Sequence, residues 1–592
     1  MAYYTSTGYQ DMPKRQELDL LRSQLENERT SFESHWRDIA DFIAPRRLRL
    51  TLSDVNRGDK RNQKIIDSTA TAASRTLSAG MMSNITSPAR PWFKLTTPDA
   101  QLNSVPAVKS WLDDSTDRMT TVFLKSNLYN KLPTCYEDLG NFATGCIFVE
   151  EDFDEVLRTY ALPVGSYWFS VDEKGKPNVF IREFRMTVRQ LVKKFGKRSA
   201  EGSIDWSNFS SIVKSYWENK NYEFWVDVRH VISPNSDFDE KKLESKYKRF
   251  QSCYYEIGAC GQNGSGYGAY TSEDREKFLQ EKGYDRFPVL IPRWKVTGED
   301  SWGTDCPGMM ALGDVKQLQH GERRSMQAID KLVHPQMQAP SSVATQKSPS
   351  LPGELSYVPS SQAGQGLRPV YEINPRIQEL EGKQEQVRVR IKKAYFEDLF
   401  LILSELRRDD ITATQVRGIE QERLLVLGPV LEQLNQDLLD PLIDITFDYM
   451  LRQGKLAPPP PELQGVDLKI EYISIMAQAQ KLLGISSIER FTGFVTNLAT
   501  ALPEVLDKLD ADEIVDIYAD ISSVPQGAVR SDDKVAEIRN QRARAQAAAQ
   551  KAQTMEQAST VAKNLSSANL ETDNALTRGI NDGSLAAAVA GG

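Results

Sequence analysis

A helix-rich α+β fold is predicted by two textures and the change between them. Apolar residues recur at helical spacing toward both ends of the 592-residue chain, whereas residues 145–296 alternate aromatic and β-branched runs with turn signals. The composition, 40% apolar and 26% charged, is that of a folded chain. At roughly 100–200 residues per domain it allows several domains.

The elements follow in order. Leu18, Leu21, Leu25, Phe32, Trp36, Ile39 and Ile43 predict a helix over 14–43, stopped by Pro45. The alternation Leu48, Leu50, Leu52 suggests a short strand, Lys64 to Asn84 a small-residue helix, and Trp92 to Leu95 another strand. A third helix is expected from Ser104 to Tyr129. The runs CIFVEED, YWFSVD, EFWVDVRHVI, CYYEIG and FPVLIPRWKV then predict a twisted antiparallel sheet, interrupted by a glycine-rich loop at 261–268.

After Gly308, a narrow stripe of Met309, Leu312, Val315, Leu318, Met326, Ile329, Leu332 and Val333 marks a polar helix that buries one edge. Seven prolines between 335 and 376 forbid a helix there and leave extended chain and turns. Ile377, Leu380, Val387, Ile391, Ala394, Tyr395, Leu399 and Ile402 predict a second polar helix to Leu406. The loop Arg407, Arg408, Asp409 and Asp410 leads to a capping box at Thr412 and Gln415. The long helix that this opens carries Pro429 and Pro441, so kinks are expected, and the proline run 458–461 ends it. A strand at 467–473, further helices, a helix from Ser531 to Ala562 and a disordered tail complete the chain.

Chemistry-bearing motifs are sparse. There is no phosphate loop, HExxH or GxSxG, and His35, His230, His320 and His334 are scattered. Five cysteines without a CxxC read as buried free thiols. Neither a catalytic site, a metal nor a cofactor is expected. No apolar run approaches the ~18–20 residues of a membrane span, and no signal-like start is seen, so the cytoplasm is the expected place of synthesis. The net charge of −8 argues against tight nucleic-acid binding.

Several long stretches, in order, resemble one family. They are SHWRDIADFIAPRR, DSTATAASRTLSAGMMSNITSPARPWFKL, FPVLIPRWKVTGEDSWGTDCPGMMALGDVKQL, the segment from Ile411 to Leu463, and VDLKIEYISIMAQAQK. Between Arg15 and Arg544 the chain resembles the portal, or head-to-tail connector, proteins of short-tailed bacteriophages. The resemblance implies a non-enzymatic subunit with wing, stem, clip and crown, assembling into a closed ring of twelve. It implies a wing at 1–306, stem helices at 307–334 and 375–406, a clip at 335–374 and a tunnel loop at 407–414. The kinked helix and the rest of the wing would occupy 415–530, a crown helix 531–564 and a tail 565–592. Arg407, Arg408, Asp409 and Asp410 become the candidate DNA-facing residues.

Such a ring would pass double-stranded DNA without sequence preference at one capsid vertex of the virion. It would meet the terminase large subunit, scaffolding and major capsid proteins and tail adaptor proteins, and no membrane. Two other readings stay open. A DNA-processing enzyme, nuclease or packaging ATPase, would need a phosphate loop or a convergent metal site. A tail adaptor would not explain two stem-like helices around a proline-rich insert.

Overall fold

The computed structural model describes residues 13–54, 58–99, 102–103, 105–197, 203–242, 244–257, 274, 276–333, 337–338, 368–369, 377–400, 427–463, 468–472, 490–498, 512, 514–515 and 532–566. The chain divides into two compact units, Met1–Ala479 and Gln480–Gly592. The first is a helix-rich α+β body. In the second, a helical stretch at 490–498 and the 35-residue helix Asp532–Ser566 are described, and Arg539 pairs with Asp512 at 2.6 Å.

Helix α1 (Lys14–Phe42) ends one residue before the predicted position. Its N-terminal half lies across a five-stranded antiparallel sheet, ordered β4 (Tyr167–Val171), β5 (Pro177–Thr187), β6 (Trp225–Pro234), β7 (Phe250–Glu256) and β8 (Gln280–Tyr284). Three arginines spaced by sevens, and so on one face, hold it there. Arg15 lies over the Tyr255 ring at 4.8 Å, and Arg22 and Arg29 over Trp168 at 4.6 and 4.3 Å. Arg29 also donates to the Gly165 carbonyl at 2.6 Å. The C-terminal half of α1 instead buries Trp36 and Ile39 in the main core, where Trp36, Tyr167, Phe169 and Trp302 form an aromatic nest.

Around that core lie α2 (Thr69–Asn84), β1 (Phe93–Thr96), α3 (Pro106–Lys125), α4 (Leu128–Phe142) and a small sheet ordered β3 (Val156–Ala161), β2 (Ile147–Asp152), β9 (Val289–Leu290). Short helices α5 (Val188–Phe195) and α6 (Ser211–Glu218) cover the end of the large sheet with a separate cluster built on Val188, Leu191, Val213 and Val228. β1 pairs with β10 (Lys469–Tyr472), so the strand predicted at 467–473 closes back on the N-terminal region.

Four expectations need correction. Of Leu48, Leu50 and Leu52, only Leu48 bridges, to Val164, and no strand forms. The helix expected from Lys64 begins at Thr69, because Asp67 Oδ1 accepts from the Thr69 amide at 2.8 Å. The helix expected to run to Tyr129 stops at Lys125, and α4 follows as a separate element. The helix expected over 376–406 runs only over Ile377–Ala394; Phe396 has φ +55°, which breaks it before a further turn at 397–400. The glycine-rich loop at 261–268 lies outside the described residues.

Candidate functional site

The most strongly built feature is a pair of helices, α7 (Pro307–Val333) and α8 (Ile377–Ala394), packed along each other. The chain between them leaves through Met337–Gln338 and returns through Arg368–Pro369, which pair antiparallel; 339–367 lie outside the described residues.

The base of this hairpin is fastened at one residue, Asn141, at the end of α4. Its side chain donates to Ser74 Oγ at 2.8 Å and accepts from the Tyr395 hydroxyl at 2.9 Å, and its carbonyl accepts from the Cys306 thiol at 3.2 Å. Gly308 lies so close that a Cβ there would sit 2.7 Å from the Asn141 backbone, so only glycine lets α7 start in this position. Asn141 therefore ties α2, α4, the start of α7 and the end of α8 together inside the core. Asn141 and Tyr395 are fully buried, where every polar atom needs a partner.

One level further along, Gln319 of α7 accepts from the amides of Ile66 and Asp67 at 2.6 and 2.9 Å and donates to the Asp67 carbonyl at 2.7 Å. Arg388 of α8 donates to Asp67 at 2.9 Å, to Glu322 of α7 at 2.6 Å and to Glu385 at 3.1 Å. Burial pushes the Asp67 carboxyl up, but hydrogen bonds from Thr69 and Arg388 outweigh it and hold the group below its ordinary range. Gln384 then donates to Ser325 Oγ at 2.8 Å, a buried bond between the two helices. Arg390 and Asp314 add an exposed pair at 2.8 Å.

Past Ser325 the hairpin leaves the core. Met326, Ile329, Leu332, Val333 and, on α8, Leu380 are all exposed, Met326 and Val333 by more than 60%. From Gln319 to Val333 is about 21 Å of helix at 1.5 Å per residue. The hairpin is rigidly rooted and carries an apolar row on its free half.

The predicted DNA-facing residues Arg407, Arg408, Asp409 and Asp410, and the capping box at Thr412 and Gln415, lie outside the described residues. Beyond them, the kinked helix comprises 427–434, a π turn at Asn435–Leu439 and α9 (Asp440–Arg452). Asp437, inside the π turn, is buried and accepts from the Arg293 guanidinium at 3.0 and 3.1 Å.

Titratable groups elsewhere in the body read as structural. Among the described residues no three His, Cys, Asp or Glu side chains converge as a metal site. Cys135, Cys146, Cys253 and Cys306 are buried, and burial pushes the Cys253 and Cys306 thiols up to about 11 and about 12, far from nucleophilic. His230 is buried, with Arg182 donating to Nδ1 at 3.2 Å and Ser252 bonded to Nε2 at 2.9 Å. Burial first, and the neighbouring Arg182 second, hold it well below its ordinary range, so it stays neutral.

The site is a mechanical one: a helical hairpin anchored in the core at its base and exposing an apolar row beyond Ser325. A sequence model of the family described as bacteriophage head to tail connecting protein matches residues 15–529, and the chain belongs to that family. It is 45% identical over 555 residues to the portal protein of Salmonella phage epsilon15, covering 94% of this chain and 96% of that one. It is 41% identical over 569 residues to the probable portal protein of Bordetella phage BPP-1, covering 96% and 98%.

The residues that root the hairpin, Asn141, Gln319, Arg388 and Asp67, were not singled out by sequence reasoning. Each bonds partners distant in the chain, and polar residues carry no periodic signal of such pairing. Gly308, directly after the helix-starting Pro307, was the one local hint of a close approach.

Proposed function

We propose that this chain is the subunit of a phage portal, a ring-shaped channel at one capsid vertex. Double-stranded DNA enters the head through it during packaging and leaves through it at ejection. The observation that carries the ring is the exposed row Met326, Ile329, Leu332 and Val333 on a helix whose other half is locked into the core. A monomer leaves that row in water, and a neighbouring copy in a closed ring covers it.

In this reading 1–306 and much of 415–530 form the wing, α7 and α8 the stem, 335–374 the clip and 531–564 the crown. The energy for translocation comes from a separate motor, the terminase large subunit, docked at the clip and later replaced by tail adaptor proteins. Scaffolding and major capsid proteins surround the wing. The ring is assembled in the host cytoplasm and ends in the virion. No helix among the described residues is long and apolar enough to cross a membrane.

The formal charge of −8 per copy supports a channel that lets phosphates slide, since phosphate contacts release counterions and hold DNA strongly. At the tunnel loop, Arg407 and Arg408 touch phosphate briefly while Asp409 and Asp410 limit the net attraction. Negative-stain electron microscopy of the purified protein tests the reading: rings of about twelve copies with a central hole are expected, and a strictly monomeric protein across a concentration series sinks it. The clip and loop assignments are tested in particles. Deleting 340–370 should leave rings but abolish motor docking. Replacing Arg407 and Arg408 by Ala should leave rings but shorten or lose the packaged genome, and full-length retained genomes remove these residues from the DNA path.

A further inference from the structure

We propose that the β2–β3 turn of one copy inserts into a basic-rimmed hollow on the next copy around the ring. The inference rests on the ring reading and names one contact within it.

The turn is an acidic knob with an aromatic tip. Phe153 is 83% exposed, the most exposed large apolar side chain among the described residues. Glu150, Glu151, Asp152, Asp154 and Glu155 surround it in sequence; Glu150 and Glu155 have partners in Lys194 and Arg158. The knob is held stiffly. Asp152 Oδ1 accepts from the amides of Asp154 and Glu155 at 2.8 and 3.3 Å, and Gln453 donates to Glu151 and to the Asp152 carbonyl at 3.3 and 3.2 Å. Val156 closes the turn at φ +75°, a left-handed conformation costly for a β-branched residue. A turn selected only to connect two strands would place glycine there and a polar residue at the tip. Strain of this kind gathers where a loop is shaped for contact.

The hollow has a volume of about 530 Å³ between the end of α1 and the chain that follows it. Pro45 and Leu48 are among its apolar lining, with Arg37, Lys60, Arg61 and Lys64 as its cations. Its two carboxylates, Asp54 and Asp41, pair with Arg61 and Lys64, and Arg37 pairs with Glu33 of α1 at 3.5 Å, so the charge left over at the rim is the positive one of Lys60. A phenyl ring fits the apolar part and lies against cations, an attraction beyond simple burial, while the flanking carboxylates meet the basic lining.

The knob and the hollow cannot meet within one chain. Leu48 of the hollow bridges to Val164, just beyond the far end of β3, and Val156 to Val164 is roughly 26 Å of extended chain. Two complementary patches at opposite ends of one hairpin are what a head-to-tail ring contact requires.

The test uses the full-length protein with Asp154→Cys and Lys60→Cys, both exposed positions, under mild oxidation. The double variant should give a ladder of covalent multimers on a non-reducing gel. An equal mixture of the two single variants should give cross-linked heterodimers of the two. Rings visible by electron microscopy with no cross-link in either sample overturn the contact while leaving the ring reading intact. Absence of rings in the unmodified protein overturns both. Phe153→Ser should raise the concentration for half-assembly by about tenfold or more with the melting temperature unchanged. Unchanged assembly, with loss only of incorporation into capsids, assigns the knob to a capsid partner and overturns the proposal.

Discussion

At the residue scale, the body is held by polar groups that burial makes unforgiving. Asn141 satisfies its side chain and carbonyl in three directions, so each partner is positioned by the cost of leaving it unpaired. Asp138, three residues earlier on α4, is 1% exposed and accepts from Arg47 Nε at 2.7 Å and from the second guanidinium nitrogen. Burial raises its carboxyl to about 6 from the ordinary 3.8, and Arg47 offsets only part of that rise. The folded state therefore takes the proton before the unfolded state does. The stability this contributes is complete below about pH 4 and is lost as pH rises through about 6. Between about pH 4.5 and 6.5 the Asp138 carboxyl should thus cost the folded protein about 2 kcal/mol. Denaturant titrations at both pH values should show a drop of this size in wild type that Asp138→Asn lacks, whatever the variant's overall stability. Equal pH slopes in the two proteins would remove Asp138 from the account.

At the element scale, what was legible was what repeats. The stripes of α1 and α7 announced themselves at 3.6-residue spacing, and each starts or stops close to its proline. The sheet region was visible from its β-branched and aromatic runs, yet not its strand order, which is set by pairings such as Arg182 with His230. Helix α4 was missed because the break before it is not local. Asn127 donates to the Thr159 carbonyl at 2.8 Å and accepts from its amide at 2.9 Å, which pulls the chain out of helix between α3 and α4. Pro133, which reads as a breaker, sits inside α4 near its start instead. Kinks are expected at Pro429 and Pro441, but the form of the one before Pro441 is not. Proline lacks an amide and its ring crowds the carbonyl four residues back, that of Asp437. The helix accommodates it by widening into a π turn over Asn435–Leu439. Arg293, 144 residues away in the chain, then holds the Asp437 side chain, a partner that no local pattern discloses.

At the scale of the whole molecule, the decisive contrast lies between the two halves of α7. Ala311, Leu312, Val315 and Leu318 are buried by this chain alone, whereas Met326, Ile329, Leu332 and Val333 are left exposed. Covering an apolar side chain fully is worth about 1.5–3 kcal/mol, and the proposed ring would repeat the gain at every subunit boundary. A carboxylate placed in that row has to be desolvated instead, at several kcal/mol per boundary. Met326→Glu combined with Ile329→Glu should therefore stop ring formation, because both positions lie where the helix has left the core. Glutamate is a good helix former, so α7 itself should persist. The isolated subunit should melt within about 0.5 kcal/mol of wild type, since exposed positions contribute little to folding. Analytical ultracentrifugation beside thermal unfolding separates the two effects: subunits that stay monomeric and fold normally are expected. Full-size rings from the double variant would mean that this row faces solvent or the channel, and that copies meet through another face of the stem.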